Sequence, residues 1–420
     1  MHTALRFTVA QRSPSRRVFA VMLLAGVLAS CRDERSPVAP PAIAVQASAA
    51  ASEHAGATLA WHATARDVMR ARAVDVLPSR RPNPPSQTRT MAYLGLAEYT
   101  AVIAAEDSKE GGIHASPAGA VAGASAAVLS YFLPFDAVRF EAQVAAEALA
   151  DPSPQEQHTS FAAGVAVGRA IGAQIIERAR TDGFVNAAPV AIPVGPQYWR
   201  SSNVPPTPPL LPHLGQMRTF FIASGDAFRP GPPPVFGSPE YLAALAEVRH
   251  VSDTRTAEQT RIAQYWAPPA LSATFDQMIA DLVSKHHLDE RRASHAFALS
   301  LMAGFDALIA CHDAKYTYWL VRPTQADPGI TLAPRVGLPN HPSYPSNHAC
   351  IDGALDAVLS DLFPAESDDI RAAMEEGAIS RLYGGLHYRF DAVTGLAMGR
   401  AIGNAALAAD VHGHQQFVLR

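Results

Sequence analysis

Charge is scarce in this chain. Asp, Glu, Lys and Arg make up 17% of the 420 residues, against 48% hydrophobic ones. Such a chain has the length for a large buried core and reads as helical. Positive charge in particular is in deficit, with a formal net charge of −4. The only charges in residues 1–30 are Arg6, Arg12, Arg16 and Arg17, so losing that segment takes the net charge from −4 to −8. A body that acidic argues against nucleic acid and anionic lipid surfaces as electrostatic partners. Cysteine is nearly absent: Cys31, Cys311 and Cys350 are the whole set. No convincing run of strands and no internal repeat is legible. Outside the N-terminus no stretch reads as a membrane span; Ala115–Phe135 lacks charged residues up to its end but carries two prolines and reads as a buried helix.

What is present begins at the N-terminus. A basic region ends at Arg16-Arg17, and an apolar run follows from Val18 to Ala29, too short to span a bilayer. It closes on Leu28-Ala29-Ser30-Cys31, which resembles a bacterial lipoprotein box. That resemblance implies a signal peptide over residues 1–30, lipidation of Cys31, and an exported protein anchored at the periplasm or cell surface. Residues 31–56, rich in Pro, Ala and Ser, read as a flexible tether. An oxidising compartment permits a Cys311–Cys350 disulfide; two buried free thiols are the other reading.

Residues 57–420 read as one all-α domain. Helical periodicity covers Ala57–Val74, Thr88–Ala105, Ala118–Tyr131, Phe135–Ala150, Pro154–Asp182, Pro239–Val248, Ala257–Trp266, Ser272–Lys285, Asp289–Val321, Ser346–Leu362, Asp368–Leu382 and His387 to about Asp410. Ser153 and Glu156 fit a capping box with Pro154 at the first helical position. Between Asn186 and Pro234, prolines forbid regular structure. Tyr198, Trp199, Phe220, Phe221 and Phe228 need burial, so this long loop reads as a wrapping arm rather than a linker.

The chemistry concentrates in residues 312–391. Lys315 and Arg322 lie seven apart, two turns on one helical face, with Pro323 ending the helix. A point charge beside a planar fork of donors suits an anion. His312 shares that face. Pro345-Ser346-Asn347-His348 opens a helix, where free N–H groups, a hydroxyl and an imidazole converge. Ser380-Arg381 ends the next helix. His387 and Asp391 lie four apart, so the carboxylate is placed to take the Nδ1–H and leave Nε2 as nucleophile or metal ligand.

Together these residues resemble the signature of the type 2 phosphatidic acid phosphatase and vanadium-dependent haloperoxidase superfamily: K-x6-RP, P-S-G-H and S-R-x5-H-x3-D. Ten of its eleven positions are present, from Lys315 to Asp391. The exception is Asn347 for Gly, a residue that tolerates unusual backbone conformations but adds a side chain to the pocket. The resemblance implies a helical bundle and an oxyanion cradle of Lys315, Arg322, Ser346, Arg381 and the N–H of Asn347. Two reactions then fit. As a haloperoxidase, His387 ligates vanadate, His348 takes a proton from hydrogen peroxide, and Lys315 polarises the peroxide for attack by halide. As a phosphatase of phosphate esters, needing no cofactor, His387 attacks phosphorus and His348 protonates the leaving group. Asp391 orients His387 in both.

Three features favour the haloperoxidase: one lipid tether in place of several spans, a long helical N-terminal half, and the strings Lys315-Tyr316 and His387-Tyr388-Arg389-Phe390-Asp391. His341 occupies the place where bromoperoxidases of the family carry a second histidine, which implies bromide or iodide. A third reading is a lipid-anchored oxyanion binder without turnover; the presence of both His348 and His387 argues against it.

Overall fold

The computed structural model of the chain describes residues 55–75, 77, 81–110, 113–150, 159–185, 188–410 and 417. The signal segment, Cys31, most of the tether and the Ser153–Glu156 capping box lie outside the described residues. The end of the expected tether is already part of the fold. Ala55 N–H donates to Leu288 O at 2.9 Å, and the first helix begins at Gly56.

Thirteen helices are present among the described residues: α1 Gly56–Ala73, α2 Pro84–Asp107, α3 Pro117–Phe132, α4 Ala137–Ala150, α5 Phe161–Arg180, α6 Pro239–Thr254, α7 Ala257–Tyr265, α8 Leu271–Lys285, α9 Glu290–Tyr318, α10 Pro323–Ala326, α11 Asn347–Leu362, α12 Ser367–Tyr383 and α13 Arg389–Ala409. Three short strands accompany them: Lys109–Glu110, Ile113–Ala115 and Thr159–Ser160. They escape sequence reading because two or three residues carry no alternation to detect. The all-α expectation holds, with helix ends differing by a few residues. α9 is long and apolar enough to cross a membrane, yet its apolar stretch is wholly buried, so it is the central core helix.

The expectation of no internal repeat is overturned. Ser116–Pro134 and Ser346–Pro364 align at an offset of 230, with Ser116/Ser346, Gly123/Gly353, Ala124/Ala354, Ala127/Ala357, Val128/Val358, Leu129/Leu359, Ser130/Ser360 and Pro134/Pro364 identical. Each stretch is a serine-capped helix followed by a short 3-10 turn, then a further helix. The closing helices match as well: Gly164, Gly168-Arg169-Ala170-Ile171-Gly172 in α5 against Gly395, Gly399-Arg400-Ala401-Ile402-Gly403 in α13.

The repeat is carried by close packing. A Cβ at Gly168 would lie 2.0 Å from Ala120 O, and one at the equivalent Gly399 would lie 2.1 Å from Cys350 O. Only glycine lets these helix pairs approach so far. α2 packs on α3 and α5 as α9 packs on α11 and α13, and α2 and α9 pack on each other. Gly95 on α2 faces the Ala298 backbone on α9, where a Cβ would come within 2.9 Å.

The proline-rich segment wraps as expected. Trp199, Phe220 and Phe221 are buried. The buried Asp306 carboxylate on α9 accepts the N–H groups of Phe220 at 2.8 Å and Phe221 at 2.7 Å. Trp199 N–H donates to Trp319 O at 2.7 Å, and Leu210 N–H to Asn340 O at 2.8 Å.

A buried charge cluster ties the N-terminal helices together. His62 lies 2.5 Å from Asp276 and 3.1 Å from Glu98, Arg66 lies 2.6 Å from Asp276, and Ser125 Oγ donates to Glu98 at 2.7 Å. Burial alone lowers the imidazole pKa, but Asp276 and Glu98 outweigh it and raise His62 to about 9. A raised folded-state pKa gives stability present below the unfolded value of 6.5 and lost as pH rises through about 9. The contribution is on the order of 3 kcal/mol. Urea unfolding of wild type and His62→Gln should therefore differ most at acid to neutral pH, with the gap closing above pH 9. A gap independent of pH would show that His62 carries no charge in the fold.

Candidate active site

The signature residues come from three places: the end of α9 and the turn after it, the start of α11, and the junction of α12 with α13. α9 stops at Tyr318 and Trp319 takes a left-handed conformation (φ 53°). Lys315 and Arg322 therefore do not share a helical face as their spacing suggested. Arg322 sits in extended backbone before α10, and the two cations meet because the chain turns back. Lys315 donates its ammonium to the carbonyls of Pro342 (3.0 Å), Ser343 (2.7 Å) and Pro345. It is wholly buried and grips the 342–345 loop from behind.

Arg322 is also wholly buried. Its Nε donates to His341 O (3.0 Å), Nη1 to Leu386 O and His387 Nε2 (2.9 Å each), and Nη2 to His341 Nδ1 (3.0 Å). A guanidinium only donates, so it fixes both imidazoles. His387 Nε2 must carry a lone pair, and its Nδ1–H donates to Asp391 Oδ2 at 2.8 Å. His341 Nδ1 also lies 3.1 Å from Pro342 O, but the charged donor decides, leaving the proton on Nε2.

The His387–Asp391 pair works differently from a helical i,i+4 pair. α13 begins at Arg389, after His387, and Asp391 caps it by accepting Tyr388 N–H at 3.2 Å. Ser343 Oγ adds a third donor to Asp391 Oδ2 at 2.6 Å. Ser343 was missed in the sequence; its only signal is its place in the run Pro342–Ser346. Asp352 was missed too. It is a buried carboxyl one turn after His348, without a hydrogen-bond partner.

Ser346 caps α11, accepting Ala349 N–H at 3.5 Å. Asn347 Nδ2 donates to His312 Nε2 at 3.1 Å, and the His312 Nδ1–H donates to Leu211 O at 3.3 Å. The added side chain thus ties the helix start to α9, and its Oδ1 is buried without a partner. His348 is buried, with Trp266 and Phe275 ring centres 5.8 and 5.7 Å from its own, and its Nε2 has no partner. Arg381 Nη1 donates to Trp266 O at 2.9 Å. Cys311 and Cys350 are free buried thiols.

These groups surround a cavity of about 370 Å³. His341, Asn347, His348, Arg381 and His387 form its polar end. Lys315, Arg322, Ser346 and His312 stand behind that wall. Burial lowers the pKa of Lys315 to about 8 and of Arg322 and Arg381 to about 10 each. Burial and the neighbouring cations hold His341, His348 and His387 well below the usual imidazole range, and His312 falls to about 3. Burial pushes Asp391 up to about 6 and Asp352 well above the carboxylate range. Three buried cations around neutral imidazoles form a positive site short of counter-charge, which an oxyanion would supply.

Residues 295–411 match the PAP2 superfamily. The match covers that segment alone, and the fold of the chain is similar to that of bacterial vanadium-dependent haloperoxidases. A bacterial vanadium-dependent iodoperoxidase superposes with a TM-score of 0.71 at 23% identity, covering 85% of this chain and 96% of that one. A bacterial vanadium-dependent chloroperoxidase in its holo form gives 0.63 at 15%, covering 77% and 91%; an apo form gives 0.61 at 16%, covering 79% and 94%. No curated protein sequence matches the chain.

Arg381 is the cation that lines the cavity. Arg381→Ala should weaken binding of orthovanadate or phosphate by roughly 1.5–3 kcal/mol, the worth of a charge-assisted contact. Calorimetric titration measures it; an unchanged affinity would remove Arg381 from the cradle.

Proposed function

We propose that this protein is a vanadium-dependent haloperoxidase, oxidising bromide or iodide with hydrogen peroxide. One observation carries the reading: His387 presents an unprotonated Nε2 at the cavity, held so by Asp391 on one side and Arg322 on the other. The donor set fits vanadate. Arg322 and Arg381 would supply charge for its oxygens and His387 Nε2 would be its ligand, and the partnerless His348 Nε2 belongs to the same cavity wall. When bound, vanadate would supply the Lewis-acid centre at which peroxide becomes an oxidant of halide.

The chain's own residues do the rest. Arg322, whose Nη1 donates to His387 Nε2, would offer that donor to an oxyanion oxygen when the group is bound. Asp391 holds the His387 Nδ1–H and so keeps Nε2 directed at the cavity. His348, neutral in its buried setting, accepts the proton that peroxide loses; negative charge in the cradle raises its basicity. His341 turns its Nε2–H toward the cavity, where it positions halide or peroxide. Lys315 acts from behind, fixing the loop that carries His341 and Ser343. The fold shared with an iodoperoxidase and a chloroperoxidase supports this reading over the phosphatase. Cys31, lipidated after export, would hold the enzyme at a membrane.

The test uses the full chain, freed of phosphate and loaded with orthovanadate. Peroxide-dependent oxidation of iodide or bromide should appear only after loading. His387→Ala should lose both vanadate retention, read by equilibrium dialysis, and turnover. Hydrolysis of an aryl phosphate that vanadate blocks, with no halide oxidation, would make the protein a phosphatase instead.

A further inference from the structure

The signature's one departure, Asn347 for glycine, puts a side chain where the oxyanion chemistry needs none. Its carboxamide stands between two imidazoles: Nδ2 lies 3.1 Å from His312 Nε2 and 3.4 Å from His341 Nε2. The two rings ask opposite things of it. His312 gives its Nδ1–H to Leu211 O, so its Nε2 is a lone pair that needs a donor. His341 takes the Arg322 Nη2–H on Nδ1, so its Nε2 carries a proton that needs an acceptor. One edge of an amide cannot serve both. As it stands, Nδ2 donates to His312 and meets the His341 Nε2–H donor to donor. Turned over, the amide would offer its oxygen to His341 and lose the bond to His312. The orientation that His312 imposes also leaves Asn347 Oδ1 buried without a partner. A fold gains nothing from an amide with an orphaned oxygen and a crowded N–H.

What the arrangement leaves is a pair of donors. The His341 Nε2–H and the second hydrogen of Asn347 Nδ2 stand side by side, and none of the described residues accepts either. Both residues line the cavity. His341 is only 5% exposed, so its N–H is shielded from bulk water. Cations stand close behind: Arg322 bonds the His341 ring itself, and Lys315 holds the Pro342 carbonyl next to it. The flanks are apolar. Leu210 and Pro339 also line the cavity; Leu210 precedes the residue that holds His312, and Pro339 O accepts the His341 backbone N–H at 2.9 Å. Two neutral donors with apolar flanks suit a single, thinly hydrated negative charge. A phosphate or vanadate, with more oxygens and more charge to desolvate, needs the guanidinium forks.

We propose that the Asn347 side chain and His341 form a halide-binding pair, with bromide or iodide accepting the two N–H groups, and that Asn347 is the residue by which this chain holds its halide. The inference rests on the haloperoxidase reading. An anion between the two donors removes their conflict, and His312 keeps its bond to the amide. His312 and the Leu211 carbonyl are positioning groups: they hold the amide with its nitrogen toward His341. A glycine at 347 leaves His341 as a single donor.

The test needs neither vanadate nor peroxide. The full chain, freed of phosphate, is titrated into sodium bromide, and the excess width of the bromide NMR line reports the bound anion. Wild type should broaden the line. Asn347→Gly, which keeps the backbone N–H of the cradle, should bind bromide roughly fivefold or more weakly, the worth of one hydrogen bond. His341→Phe should lose the broadening as well, and it carries the test should the first variant not fold. Inorganic phosphate added to wild type should fill the cradle and leave part of the broadening in place. Equal broadening by wild type and both variants would overturn the pair. So would complete loss of the wild-type broadening on adding one equivalent of phosphate, which would return these N–H groups to the oxyanion. Absence of halide oxidation by the vanadate-loaded chain, with bromide still broadened, would sink the haloperoxidase reading alone.

Discussion

A guanidinium with no exposed surface organises this site. Arg322 hands four of its N–H groups to two backbone carbonyls and two imidazole nitrogens. None of those acceptors is a carboxylate, so the charge stays uncompensated at close range and burial lowers its pKa to about 10. Because guanidinium cannot accept, it fixes which nitrogen of His341 and His387 carries the proton. The 341–346 loop and the 386–387 turn are sewn to one another through it. Replacing it by lysine would keep a charge but lose the fork that spans two segments. The cost of burying such a group without a counter-ion is large, which accords with the proposed role of the site as a receptor for an oxyanion.

The duplication explains where that site can be. Both halves use the same device, a serine-capped helix packed backbone to backbone on a glycine-bearing one. Arg169 on α5 reaches Glu141 on α4, and Arg400 on α13 reaches Glu375 on α12, so equivalent helices are paired by charge although the two glutamates stand at different positions along them. The chemistry does not. Where α11 opens with Asn347-His348, α3 opens with Pro117-Ala118. The glycine contacts fix the scaffold in both halves, and the residues at the helix start decide which half can hold a ligand.

Sequence reading was strongest where chemistry demands particular side chains. No substitute exists for histidine, lysine and arginine in an oxyanion site, so their order is legible even with Asn347 in place of glycine. It was weaker where geometry intervenes. Lys315 and Arg322 seemed to share a helix, but Trp319 in the left-handed region turns the chain between them. His387 and Asp391 seemed to be a helical pair, but the carboxylate is a cap. Ser343 left no mark because one hydroxyl in a loop looks like any other. The repeat was illegible because its shared positions are mostly glycine, alanine, valine and leucine, which this alanine-rich chain scatters everywhere. The backbone contacts show that the matched Gly168 and Gly399 do the same work in each half.

The same imidazole does opposite work in the two halves, and the difference is the sign of its surroundings. His62 lies between Asp276 and Glu98, so its proton is held and its pKa rises to about 9. It is a fixed cation that binds helices together. His387, equally deep, faces Arg322, with Lys315 and Arg381 adding positive charge, and its pKa falls well below the usual range. Asp391 holds the Nδ1–H without overcoming those cations, being itself pushed up to about 6. The surroundings therefore favour an unprotonated Nε2, which accepts from Arg322 in the wall of the cavity. Burial supplies the energy scale in both places; the local charges decide whether that energy stabilises a structure or readies a ligand.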